Sequence, residues 1–143
     1  ERDSFLAQFS SEGGGTLVGF AVLGGIFAEG IDLVGERLIG SIIVGVGLAQ
    51  PNSESNLIAE YYGEACMNGY NYAYLYPGLS KVMQAAGRVI RTESDRGIVI
   101  LIDDRYATPE YARVLPKHWQ PMKLIGDTKS LRVALAKFWR ESN

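Results

Sequence analysis

One cysteine, Cys66, and one histidine, His118, are all the chain has of either residue. A lone cysteine excludes an internal disulfide, and with a lone histidine it excludes a zinc knuckle or a four-cysteine cluster built within this chain. His118 has no partners for a metal site or a Ser-His-Asp arrangement. No lysine follows a glycine, so the phosphate-cradling GxxxxGK[ST] loop does not occur and the chain is not a self-sufficient P-loop enzyme. No apolar run reaches the ~18 residues of a membrane span, and the opening Glu1-Arg2-Asp3 is not a signal peptide. These absences predict a cytoplasmic protein without membrane contact. A chain opening on Glu1 without methionine is expected to be a piece of something longer.

What is present is a domain-sized sequence of 143 residues, 47% hydrophobic and 21% charged, long enough to bury a core without staples. The net charge of −2 is unevenly spread: residues 1–60 carry 2 Lys/Arg against 8 Asp/Glu, and residues 61–143 carry 12 against 8. The basic second half suits an anionic ligand, although a solvated face is the commoner cause.

There is no internal repeat and no linker that would divide the chain, so residues 1–143 read as a single domain. Phe5, Leu6 and Phe9 predict a short helix. Residues 16–23, 38–46 and 98–102 read as strands whose continuous apolar character suits burial on both faces of a parallel sheet. Residues 52–66 read as a helix, with Leu57, Ile58, Tyr61, Tyr62 and Ala65 as its stripe. A second helix over residues 79–91 turns Leu79, Val82, Met83, Ala86 and Ile90 inward. Thr108-Pro109 starts a short helix that stops before Pro116. The last helix begins near Thr128, with Leu131, Leu135, Phe138 and Trp139 inward. This alternation predicts an α/β fold, an open three-layer sheet with helices on both faces and ligands beyond the carboxyl ends of its strands. Those ends are the loops at residues 24–32, 45–51 and 103–106.

Gly45-Val46-Gly47-Leu48-Ala49-Gln50 imitates a dinucleotide fingerprint, but Gln50 replaces the third glycine and Pro51 follows at once, which disfavours a dehydrogenase. In Gly24-Gly25-Ile26-Phe27-Ala28-Glu29-Gly30-Ile31-Asp32 the glycines permit close backbone approach, and a tight surface turn explains the loop equally well. Gln84, Arg88 and Arg91 share one face of the predicted helix. Two guanidiniums and an amide there form a fork set for phosphate oxygens, or else a solvated face paired with Glu93 or Asp95. Gly87 inside that helix costs about 1 kcal/mol relative to alanine, tolerable where something approaches closely. Six tyrosines, Tyr61, Tyr62, Tyr70, Tyr72, Tyr74 and Tyr76, could stack nucleobases, but packing between helices is their commoner role. The period of two from Tyr70 to Tyr76 formally suits a strand; a helical segment is expected instead.

GGIFAEGIDL at residues 24–33 and QAAGRVIR at residues 84–91 closely resemble motifs V and VI of superfamily 2 helicases of the XPD/DinG branch. GERLIGSIIVGVGLAQPN at residues 35–52, DRGIVILIDDRY at residues 95–106 and LPKHW at residues 115–119 reinforce the match in order and spacing. The resemblance implies the second RecA-like lobe of an ATP-dependent DNA helicase, of the P-loop NTPase type but lacking the phosphate loop. It further implies that ATP with Mg is shared with a missing first lobe, which alone would hold any iron-sulfur cluster. Single-stranded DNA and that first lobe are the implied partners. On this resemblance Arg91 and Arg88 reach the γ-phosphate, with Gln84 on the same surface. Gly30 and Asp32 line the nucleotide side, Glu29 braces the loop, and the backbone of Gly24, Gly25 and Ala28 lies near DNA. The competing expectation is a catalytically silent nucleotide- or protein-interaction module with the same fold.

Overall fold

The computed structural model describes residues 2–9, 15–25, 33, 35–66, 68–90 and 95–141. Helix α1 (Arg2–Leu6) leads to strand β1 (Gly40–Val44), helix α2 (Ser53–Cys66), a π-helical turn (Asn71–Leu75) and helix α3 (Tyr76–Ala86). Strand β2 (Ile98–Ile102), short helix α4 (Pro109–Ala112) and helix α5 (Thr128–Arg140) complete the order. β1 and β2 pair in parallel, with Ile43 opposite Leu101 and Val44 opposite Ile102. Parallel pairing requires a crossover, and α2, the π turn and α3 provide it.

Side chains alternate across this sheet. Ile43 enters the buried core with Val46, Leu75, Leu79, Val82, Ala86, Tyr106, Tyr111 and Leu115, and Val99 and Leu101 pack against that cluster. Leu75, Leu79 and Val82 are wholly buried, because a helix places positions three and four apart on one face. On the opposite face Ile42, Val44 and Ile102 are exposed. The α/β class and the parallel sheet therefore agree with the sequence reading, and among the described residues the helical cover lies against the Ile43 face.

The strand expected at residues 16–23 does not form: residues 16–22 are irregular, with Phe20 93% and Val22 80% exposed. An apolar run becomes a strand only where a neighbour takes its amides and layers cover both faces. Here α1 and the turn after it meet the run at Gly19, where a Cβ would come within 2.8 Å of the Phe9 ring and 2.9 Å of the Phe5 ring. Leu23 alone reaches the core cluster.

The helix expected over residues 79–91 starts earlier and ends sooner, with Pro77 in its first turn and Gly87 as its C-cap. Gly87 is not a mid-helix glycine, and the nearest atoms to a Cβ there are carbonyl oxygens of its own helix. Beyond Ala86 the chain tightens to three-residue turns, Arg88 N–H donating to the Ala85 carbonyl and Val89 N–H to that of Ala86. That tightening sets Val89 above Ala86, so Val89 is buried and the expected Ile90 is 48% exposed.

The tyrosine segment is helical, as expected. Tyr62 of α2 stacks on Tyr72 at 4.2 Å between ring centroids and 6° between planes, and Tyr72 meets Tyr76 edge-on. This is inter-helix packing. α5 is capped by the Asp127 carboxylate, which accepts from the N–H groups of Lys129 and Ser130. Its expected inward stripe is only partly covered: Leu131, Leu135 and Phe138 are half-buried and Trp139 is exposed. The Arg96 guanidinium lies over the Phe138 and Trp139 rings and donates to the Phe138 carbonyl.

Leu79 is fully buried between α3 and the sheet, so Leu79→Ala is expected to lower unfolding stability by about 2–5 kcal/mol. Urea unfolding followed by circular dichroism checks this, and a loss below about 1 kcal/mol would contradict the packing.

Candidate functional site

The carboxyl ends of β1 and β2 hold a closely built arrangement of glycines. Gly45 and Gly47 both have positive φ, 83° and 69°, a conformation that disfavours a Cβ. At Gly47 space is also short, since a Cβ would lie 2.5 Å from the Gly78 carbonyl oxygen and 3.2 Å from Leu23. A Cβ on Gly78 would in turn lie 2.8 Å from the Val46 carbonyl oxygen. Two glycines thus let the loop after β1 lie directly on the first turn of α3, with Leu23 beside them.

This contact sets the direction of α3. The helix begins at the carboxyl edge and runs back to the amino ends of the strands, where Val89 meets Gly97 just before β2. Immediately after Leu23, Gly24 has φ +80°, and a Cβ there would meet the Lys81 stem, 3.2 Å from Cδ and 3.7 Å from Nζ. Gly25 closes the turn by donating to the Val22 carbonyl at 2.9 Å. The entrance to the glycine loop and the middle of α3 therefore touch.

Tyr106 and Asp103 tie the second strand end to the first. The Tyr106 hydroxyl donates to the Gly45 carbonyl at 2.6 Å, and burial pushes that hydroxyl up to about 12. Arg105 grips Asp103 with both faces of its fork, Nε to Oδ1 and Nη2 to Oδ2, each at 2.8 Å. Its backbone N–H also donates to Oδ1 at 3.0 Å. These donors hold the Asp103 carboxyl down at about 2, and the Arg105 guanidinium is raised above its ordinary value in return. Arg105 is therefore committed to the loop. Tyr111 is likewise pushed up to about 12, first by burial and then by its hydrogen bond with Tyr70.

Of the sequence-predicted site residues, Gly24, Gly25, Gln84 and Arg88 lie among the described ones, and Ala28, Glu29, Gly30, Asp32 and Arg91 lie outside them. Gln84 is exposed on α3, its amide 3.5 Å from the Ser80 hydroxyl. Arg88 is half-buried in the turn after α3. Lys81 and Gln84, three apart, share a side of α3, and Arg88 follows in the tightened turn beyond its end, so the single helical face expected for Gln84 and Arg88 is not continuous. The sequence reading missed Lys81, although its place three residues before Gln84 marked it. It also missed Tyr106 and the Gly47–Gly78 approach, which depend on residues far apart in the chain. The loop at residues 45–51 is not a dinucleotide cradle: α2 starts only at Ser53, after Asn52 accepts from the Ser55 N–H at 2.8 Å. Among the described residues no three His, Cys, Asp or Glu side chains gather as a metal site, and no helix is long and apolar enough to cross a membrane.

The model of the helicase C-terminal domain family matches residues 1–122. The chain belongs to that family. It is 33% identical over 126 residues to the ATP-dependent DNA helicase chl-1 of Caenorhabditis elegans, covering 86% of this chain and 14% of the relative. It is also 33% identical over 102 residues to the ATP-dependent DNA helicase DinG of Photobacterium profundum, covering 71% and 15%. The Regulator of telomere elongation helicase 1 homolog of Caenorhabditis briggsae is 28% identical over 130 residues, covering 85% and 13%. The chain is thus a C-terminal RecA-like lobe of the XPD/DinG type, and it spans about one seventh of the length of the curated relatives it matches. The family match ends before α5.

The Asp103 carboxyl sits below its ordinary value of 3.8, so the stability it adds is present above pH 4 and is lost as pH falls towards 2. Thermal melts at pH 4 and pH 2 should therefore show a larger drop in Tm for the native chain than for Asp103→Asn. Parallel drops would contradict the Asp103–Arg105 lock.

Proposed function

We propose that this lobe is half of an ATP-driven DNA motor, completed by a first RecA-like lobe in the parent polypeptide that supplies the phosphate loop and the Mg-holding acids. The observation that supports the reading is the contact of Gly24 with Lys81, because it sets the start of the segment that resembles motif V against the helix that leads into the segment that resembles motif VI. In this reading the loop from Gly24 to Asp32 runs from the DNA side to the nucleotide side, with Gly24, Gly25 and Ala28 near the strand and Gly30 and Asp32 near ATP. Glu29 braces it. Gln84, Arg88 and Arg91 face the cleft, and Arg88 and Arg91 meet the γ-phosphate as the lobes close.

Guanidiniums that arrive late stabilise the charge spreading over the transferred phosphoryl group more than they stabilise bound ATP. Cyclic closure of the two lobes then moves single-stranded DNA past the loop. Any iron-sulfur cluster belongs to the first lobe, since Cys66 is the only cysteine here. A cytoplasmic setting and a role in DNA repair belong to the same proposal.

In the full polypeptide, Arg91→Ala is expected to lower kcat for ATP by ~10³ or more while nucleotide affinity stays within roughly tenfold, with Arg88→Ala acting in the same direction. Lysine at position 91 should rescue poorly, since it keeps the charge and loses the planar fork. Steady-state ATPase assays with single-stranded DNA, alongside thermal melts, check this. A native rate for Arg91→Ala would point instead to arginines on a solvated face and to a catalytically silent module. The isolated chain, lacking a phosphate loop, should release phosphate from ATP only at background and bind single-stranded DNA weakly, with strong salt dependence. DNA-stimulated turnover by the isolated chain would contradict the division of labour between lobes.

A further inference from the structure

We infer that Lys81 is a DNA-backbone contact, seated beside Gly24 to hold a phosphate at the entrance of the glycine loop. The inference rests on the proposed motor reading and adds to it a residue outside both motifs. Lys81 is the only charged residue of α3, and no other Lys or Arg occurs between Arg37 and Arg88. It is half-buried, with its stem filling the space that a side chain at Gly24 would occupy, 3.2 Å from Cδ and 3.5 Å from Cε. Among the described residues no carboxylate forms an ion pair with it. The stem is thus anchored by packing, and the ammonium is carried to the edge of the loop.

The geometry also separates this cation from the arginines. Helical side chains lean towards the N-terminus of their helix, which for α3 is the carboxyl edge of the sheet. Seven residues at 1.5 Å rise place Arg88 roughly 10 Å further along, towards the amino ends of the strands. Lys81 therefore serves Gly24, which the proposed reading sets near DNA, and Arg88 lies away from that contact. An ammonium is a strongly hydrated point charge with three rotatable donors, suited to the oxygens of a phosphodiester backbone that slides past without being read. Gly24 at φ +80° keeps the approach open: a larger residue would be strained and would displace the lysine stem.

The test uses the full-length polypeptide that carries this lobe and fluorescence anisotropy on a labelled oligothymidylate across a salt series. Each phosphate contact on a single strand contributes about 0.7 to the slope of log K against log salt. Lys81→Met keeps the apolar stem on Gly24 and removes the charge, so it should flatten the slope by about 0.7 and weaken binding at low salt by several-fold. Lys81→Arg should restore the slope. Lys137→Ala removes a lysine paired instead with Glu141 at 3.4 Å and should leave the slope as in the native protein. An unchanged slope for Lys81→Met overturns the inference. So does a raised KM for ATP with an unchanged slope, which would put Lys81 on the nucleotide side, or a flattening that Lys137→Ala shares. Failure of the motor reading is distinguishable, because then the native polypeptide itself would show no DNA-stimulated ATPase.

Discussion

The close approach of two backbones, Gly47 over Gly78, is the constraint on which the rest of the arrangement depends. A Cβ at Gly47 would stand 2.5 Å from a carbonyl oxygen, a separation that only the absence of a side chain permits. Because the loop after β1 lies on the first turn of α3, the helix must start at the carboxyl edge and return under the sheet. Its apolar face, Leu75, Leu79, Val82 and Ala86, then meets Ile43, Val99 and Leu101. The Tyr106 hydroxyl on the Gly45 carbonyl and the Arg105 fork on Asp103 hold the neighbouring strand end in the same frame. Leu23, wedged beside Gly47, delivers Gly24 to Lys81.

The direction of α3 gives the lobe two chemically distinct ends. Lys81 and the glycine turn lie at one, while Arg88 lies roughly 10 Å along the helix near the other. In the proposed motor this separation lets one rigid element sense two ligands, a polyanionic strand and a nucleotide, without either cation serving both. A displacement at one end would then reach the other along α3 and the side chains packed on it.

Much of this was legible in the sequence because it is local. β2 falls where its apolar run and Gly97 place it, and α2 begins after its Asn52 cap. The glycine loop and the Gln84 to Arg91 segment announced themselves as motifs. Three features were not legible. Residues 16–23 have the composition of a buried strand, but pairing is a property of neighbours, and Phe20 stands in solvent. The end of α3 at Ala86 depends on a change from four-residue to three-residue hydrogen bonding, which periodicity does not register and which exchanges Ile90 for Val89 in the core. The Gly47–Gly78 contact and the seat of Lys81 join residues 31 and 57 positions apart, and no spacing rule within one element reaches that far. Of the proposed site, Gly24, Gly25, Gln84 and Arg88 can be placed by the fold, whereas Ala28, Glu29, Gly30, Asp32 and Arg91 rest on the motif resemblance.

The backbone contact is most directly tested by comparing two glycines of the same loop in urea unfolding. Gly45 and Gly47 share positive φ, but nothing lies within 4 Å of a Cβ at Gly45. Gly45→Ala should therefore show only the conformational cost of a left-handed alanine, about 1–2 kcal/mol. Gly47→Ala should show that cost and, in addition, the overpacking of the loop against α3, a further 1–3 kcal/mol or so. A clearly larger loss for Gly47→Ala is the predicted result, and equal losses at the two positions would contradict the contact that orients α3.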